Sequence, residues 1–223
     1  MKQIRTLGMV LVAVFALSAV VASAAFAAPE FEVRSGETLK GTTFTGSTTG
    51  AKLTAAGTTI NCTGGSSSGE ITGATTVGKV VVTFTGCKGK GLSECSVQSP
   101  GASPGEVVTD TLEGELGEVA HSEAANETGL KLKASGKESF VTTEGSCLPF
   151  GGSSVTGEII GDVQPVKAFA KTGELVYKAE SKKQKIQKFT TDSSAQVLKA
   201  FGFAEVVEET TESLEFSKEI KVT

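Results

Sequence analysis

The side chains of this chain that could do chemistry are four cysteines, one histidine, a run of lysines and a scatter of glutamates. Cys62, Cys87, Cys95 and Cys147 show neither CxxC spacing nor histidine support, so they do not read as a zinc site. An even number of cysteines reads as a disulfide framework if the chain is exported, with three pairings open. Cys87 and Cys95 flank the glycine-rich turn Lys88-Gly89-Lys90-Gly91-Leu92, so their closure costs least chain entropy. The expected bridges are Cys87–Cys95 and, by remainder, Cys62–Cys147. Loop entropy assigns them roughly 2.5 and 4.5 kcal/mol, so loss of the longer bridge is expected to destabilise more.

Other chemistry finds little support. His121 is the sole imidazole and has no nucleophile in a G-x-S-x-G elbow to serve, so it reads as a surface or strand-end residue. Glutamates are too many for any pair to stand out, and tryptophan, a common sugar platform, is absent. Asp110, Asp162 and Asp192 are the only aspartates and form no calcium loop. No glycine-rich loop precedes a Lys-Ser or Lys-Thr pair. No catalytic residue, cofactor or metal is expected. Lys182, Lys183, Lys185 and Lys188 form the strongest local charge feature. They suit an anionic wall polymer or lipid headgroups, or else guard an edge strand. Asn61-Cys62-Thr63 and Asn126-Glu127-Thr128 match the glycosylation pattern, which matters only in a host that glycosylates.

The compartment is read from the start of the chain. Lys2 and Arg5 are followed by the apolar run Leu7 to Val21 and by Ala25-Phe26-Ala27 just before Pro29. A basic start, a short apolar core and an A-x-A site make a secretory signal peptide over residues 1–27. A cleaved helix is expected there, with 28–223 as a single exported domain. The apolar run is 15 residues long, short of the roughly 20 that a spanning helix needs. No transmembrane anchor is expected after cleavage. The first cysteine is Cys62, so the cleavage point offers none for lipidation.

Loss of Lys2 and Arg5 leaves 19 basic against 25 acidic residues, and Arg34 becomes the only arginine. Such a chain is a poor nucleic-acid binder. Glycine is frequent at 27 residues, and apolar residues alternate between recurring turns. Val80, Val82 and Phe84 share one strand face and Val81, Thr83 and Thr85 the other, as in a strand covered on both sides. Leu130 and Leu132 alternate with Lys131 and Lys133. Leu214, Phe216, Ile220 and Val222 share a face, which Lys218 interrupts as at a sheet edge or a strand end.

A Gly-Glu-aliphatic signature recurs with its last residue at Ile71, Val107, Leu116, Val119, Ile159 and Leu175. It reads as glycine at a turn or bulge, glutamate to water and the aliphatic residue to the core. Two longer copies, 66–73 and 154–161, suggest two similar hairpins. Leu116 and Val119 differ in parity, which places a bulge at Gly117. Residues 99–104 read as a loop, and 194–201 as a strand in preference to a short helix. The fold class is all-β: an antiparallel sandwich or flattened barrel of about a dozen short strands.

Several of these stretches resemble a group of secreted actinobacterial proteins of uncharacterised function, often present as many paralogues in one genome. The resemblance rests on Gly69-Glu70-Ile71-Thr72-Gly73 leading through Thr76-Val77-Gly78 into Val80 to Cys87. It continues at Gly105 to Thr109 with Leu112 to Leu116, at Gly157 to Pro165, and at Ser181 to Phe189. It implies export and supplies no activity, ligand or catalytic residue. The expected function is a non-enzymatic extracellular or cell-envelope protein with a structural, adhesive or binding role, its partner an envelope polymer or surface. The alternatives are a β-barrel carrier of a small apolar ligand and a secreted hydrolase of unfamiliar type. A large apolar cavity favours the carrier, and two carboxylates about 5–10 Å apart in a concave site favour the hydrolase. A filled core favours the structural role.

Overall fold

In a computed structural model, residues 28–90, 94–120, 127–147, 150–164 and 167–223 are described. The signal-peptide segment, His121 and Asn126 lie outside them. The described residues are 64% strand and hold no helix.

Eight lengths of chain lie side by side in sequence order. The first is β2 (Thr42–Thr48) with β3 (Ala51–Ala55), and the second is β4 (Thr58–Cys62) with β5 (Gly64–Ile71). The third is β6 (Thr76–Thr85) with β7 (Lys88–Lys90). The fourth is β8 (Glu94–Gln98), β9 (Val107–Val108) and β10 (Leu112–Glu118). The fifth is β11 (Thr128–Ala134) with β12 (Ser139–Gly145), and the sixth is β13 (Ser153–Gln164). The seventh is β14 (Ala170–Tyr177) with β17 (Leu198–Ala200), and the eighth is β18 (Ala204–Val222). β1 (Phe31–Val33) lies beside the end of β18, and β15 (Ala179–Glu180) pairs with β16 (Lys183–Gln184) apart from the main sheet.

Each length pairs antiparallel with the next. β18 then pairs with β2 and β3, so the sheet closes into a ring. Closure satisfies ladder groups that an open sheet would leave at its edges. There are more strands than the dozen expected because most lengths are interrupted part-way.

Alternation sorts side chains between the inside and the outside of the ring. The aliphatic residue of every Gly-Glu-aliphatic copy is buried. Five join the main core, while Val119 packs with Ile160, Ile186 and Phe189 in a second cluster. This explains the parity break: β10 runs unbroken against β11 through Gly117, and Val119 belongs to the other side. The bulge expected at Gly117 is instead in β6. Its register slips against both neighbours around Gly78 and Lys79, and Lys79 has φ +52°. That extra residue turns both Val77 and Val80 into the core. Val81 and Thr83 are only half-buried, so β6 is not covered on both sides. The two longer copies are not equivalent hairpins either. Gly73 sits in a turn, whereas Gly161 continues mid-strand in β13. Of 194–201, only Leu198–Ala200 is strand.

The bridges differ from those expected. Cys62 is bonded to Cys87 and Cys95 to Cys147, and no described cysteine is free. Strand register decides this. Asn61 faces Lys88 in the β4–β7 ladder, so the next positions are Cys62 and Cys87. In the β7–β8 hairpin Cys95 faces Gly89, two residues past Cys87. On its other side the β8–β12 register pairs Val97 with Gly145, which brings Cys95 opposite Cys147. The short loop closes at Gly89 rather than at Cys87. Gly89 also makes room for the second bridge, since a Cβ there would lie 2.6 Å from Cys95 Sγ.

Candidate functional site

Two places hold side chains with functional potential: a polar stripe inside the ring and a lysine-bearing flap outside it. The stripe follows from alternation. Counting back from Phe216 and Leu214 along β18 turns Glu212, Thr210 and Glu208 inward, and all three are buried. The sequence does not single them out, because its many glutamates read as solvated. The signal was the shared parity with Leu214 and Phe216.

Glu208 sits among Phe84, Leu132, Phe140, Tyr177 and Thr210. Burial and the neighbouring Glu212 push its carboxyl up to about 8. Burial also raises Glu212, partly offset by the adjacent Ser67 hydroxyl. Ser67 Oγ still completes no hydrogen bond of ordinary geometry. Gly46 leaves the space in which Glu212 and Ser67 meet, since a Cβ there would overlap both side chains. Burial holds the Tyr177 phenol well above its usual range. Among the described residues no cation lies within ion-pair distance of either carboxyl. The interior thus carries two carboxyls whose charged form burial disfavours, Glu208 the more strongly.

Space inside is small. The voids beside Glu212, between the two glutamates and beside Glu208 measure about 40, 20 and 40 Å³. A void of roughly 10–15 Å³ admits one water, whereas small-molecule sites occupy roughly 300–1,000 Å³. A larger groove of about 310 Å³ lies over Thr72, Thr76, Glu113, Glu115, Lys131 and Lys133, and its charges are paired. Lys131 Nζ lies 2.8 Å from Glu115 and Lys133 Nζ 3.5 Å from Glu113.

The flap is the excursion between β14 and β17, residues 178–197. It begins with the β15–β16 hairpin, whose turn residues Ser181 and Lys182 both have positive φ, as a two-residue hairpin turn requires. Lys182, Lys183, Lys185 and Lys188 are all exposed, while Gln184, Ile186 and Phe189 turn inward. Where the chain leaves the ring, β18 would lose its ladder partner at Glu208. The Gln184 side chain takes that place, donating to Glu208 O at 3.2 Å and accepting from Glu208 N at 2.9 Å. Phe189 packs onto Gly117 and Gly129, and Lys131 Nζ lies 5.0 Å from its ring centroid. Lys131 also meets Glu115 and Asp192. Burial opposes its charge, but these partners outweigh burial and raise its pKa. Asp162 lies within the field of Lys178 and Lys185, and burial raises its carboxyl.

Among the described residues no cluster of three or more metal-ligating side chains occurs, and no helix is long and apolar enough to cross a membrane. No family model, curated protein or solved structure matches this chain.

Proposed function

We propose that this is an exported, non-enzymatic envelope or extracellular protein, a flattened barrel with a filled interior that meets its partners on the outside. The observation that carries this reading is the size of the voids inside the ring among the described residues, about 40 Å³ beside Glu212 and beside Glu208 and about 20 Å³ between them. An apolar carrier needs several times that room. Two disulfides are consistent with an oxidising extracellular compartment. The resemblance to secreted actinobacterial proteins supports the same reading.

The Glu208–Glu212 pair is the feature that favours the hydrolase alternative. The void between them, about 20 Å³, is too small for a sugar ring. The test is a binding screen of the mature, oxidised protein against wall polymers, envelope membranes and a panel of small apolar ligands, with thermal shift as readout for the last. Binding to an envelope fraction without any shift from the small ligands supports the reading. A stoichiometric apolar ligand retained through purification overturns it in favour of the carrier.

A further inference from the structure

The sharpest surface feature lies at the tip of the β17–β18 hairpin. Phe201 and Phe203 are the exposed large hydrophobic residues among those described, at 43% and 79% exposure. Their rings stack with centroids 6.3 Å apart and planes 23° from parallel. The hairpin holds them out: Ala200 pairs with Ala204, and Phe203 N donates to Ala200 O at 3.2 Å. Phe201 has φ +53° and Gly202 φ +73°. A bulky side chain at positive φ is costly, and such strain gathers at functional sites. Glycine or asparagine would relieve it, so an aromatic here works against the turn.

The surroundings fit one kind of partner. Described turn residues at this end of the ring, Ala56, Gly57, Gly151 and Gly152, are small and uncharged. On the hairpin itself Lys199 is exposed and faces Glu205 across the ladder, and the flap is tied to the hairpin through Gln187 Nε2, which donates to Glu205 Oε1 at 3.0 Å. From Lys178 to Lys188 the flap carries five lysines against one glutamate, Glu180. Apolar side chains inserted at an interface, with lysines behind to meet anionic headgroups, are the two signals by which a protein holds a lipid surface.

We infer that the Phe201–Phe203 tip docks this protein on an anionic lipid membrane, the flap lysines meeting the headgroups. This rests on the exported envelope reading and names its partner. Lipid fits better than a hydrated polymer, because the phenyl rings offer no hydrogen-bonding atom.

The test is flotation of the oxidised mature protein with vesicles of phosphatidylcholine alone and of phosphatidylcholine mixed with phosphatidylglycerol. Wild-type protein should float with the mixed vesicles and lose binding as salt rises. Phe203→Ser should weaken binding about tenfold or more, with its melting transition unchanged. Changing Lys182, Lys183, Lys185 and Lys188 together to Gln should abolish the preference for the mixed vesicles. The chain has no tryptophan, so Phe203→Trp adds a single reporter whose emission should shift to the blue on vesicles. Wild-type protein that stays unbound, or binding that Phe203→Ser leaves intact, overturns the inference. If wall polymer is bound and vesicles are not, lipid docking falls and the envelope reading stands. If neither is bound, both fall.

Discussion

The two ends of the ring are held in different ways. At the cysteine end the ladders are short. β7 makes three pairs with β4, and β8 makes only two with β12. Each weak seam carries a disulfide, Cys62–Cys87 on the first and Cys95–Cys147 on the second. At the far end the ladders are long, with seven pairs between β2 and β5 and seven between β10 and β11. No covalent tie occurs there among the described residues. Surface charge finishes that end instead: Arg34 pairs with Glu219, Lys221 Nζ lies 2.6 Å from Glu32, and Arg34 and Lys221 both approach the Phe169 ring. Covalent ties are placed where backbone pairing runs out.

The largest effect should come from breaking that placement. Replacing Cys95 and Cys147 together by Ala frees a loop spanning 52 residues and should cost about 4 kcal/mol. Replacing Cys62 and Cys87 frees one of 25 and should cost about 3.5. Denaturant unfolding gives both values. Hydrogen exchange should show the first variant losing protection at Val97 and Gln98, while Leu130 and Leu132 at the far end keep theirs.

The buried acids lie between the ends, Glu208 in the cysteine half and Glu212 in the other. Glu208 ionises near 4.5 ordinarily and near 8 in the folded ring. The folded state therefore holds a proton that the unfolded chain has released. Stability is full below about pH 4.5, falls by up to about 1.4 kcal/mol per pH unit through the window, and levels off above about 8. Glu208→Gln should remove most of that slope and raise stability at pH 7 by about 3 kcal/mol, read from denaturation at pH 5, 7 and 9. Glu212→Gln should act in the same direction with a smaller effect.

Packing gives the next effect. Gly89→Ala presses a methyl group against both sulfurs of the Cys95–Cys147 bridge and should cost about 1–3 kcal/mol by overpacking. The smallest belongs to the far end. Glu219 holds Arg34 above its usual range and is itself lowered, yet the pair lies at the surface, with Arg34 exposed and Glu219 half-buried. Glu219→Gln should leave the denaturation midpoint unchanged within error at physiological salt, since water and ions screen an exposed pair. A marked loss would mean that charge, and not ladder length, secures this end.

The all-β class was legible because alternation is strong in this chain. Leu130 with Leu132, and Leu214 with Phe216, Ile220 and Val222, face inward as their spacing demands. Lys218 does not end its strand: it lies inside β18, four residues before Val222, with Nζ donating to Thr38 O at 2.6 Å. What failed was everything that depends on register between strands. Loop length favoured Cys87 with Cys95, but ladder position, invisible in one sequence, set both bridges. The bulge was assigned to Gly117 because a second apolar cluster outside the ring had not been foreseen. Glu208 and Glu212 were missed because composition outweighed parity. Nothing in the sequence signalled that Gln184 would stand in for a missing strand.

The most direct test of the central claim, that two cross-strand ties staple the weak seams of a closed ring, is peptide mapping of the native protein without reduction. The account predicts one fragment joining Cys62 to Cys87 and another joining Cys95 to Cys147, with no free thiol. A Cys87–Cys95 link, or four free thiols in the folded protein, would contradict it.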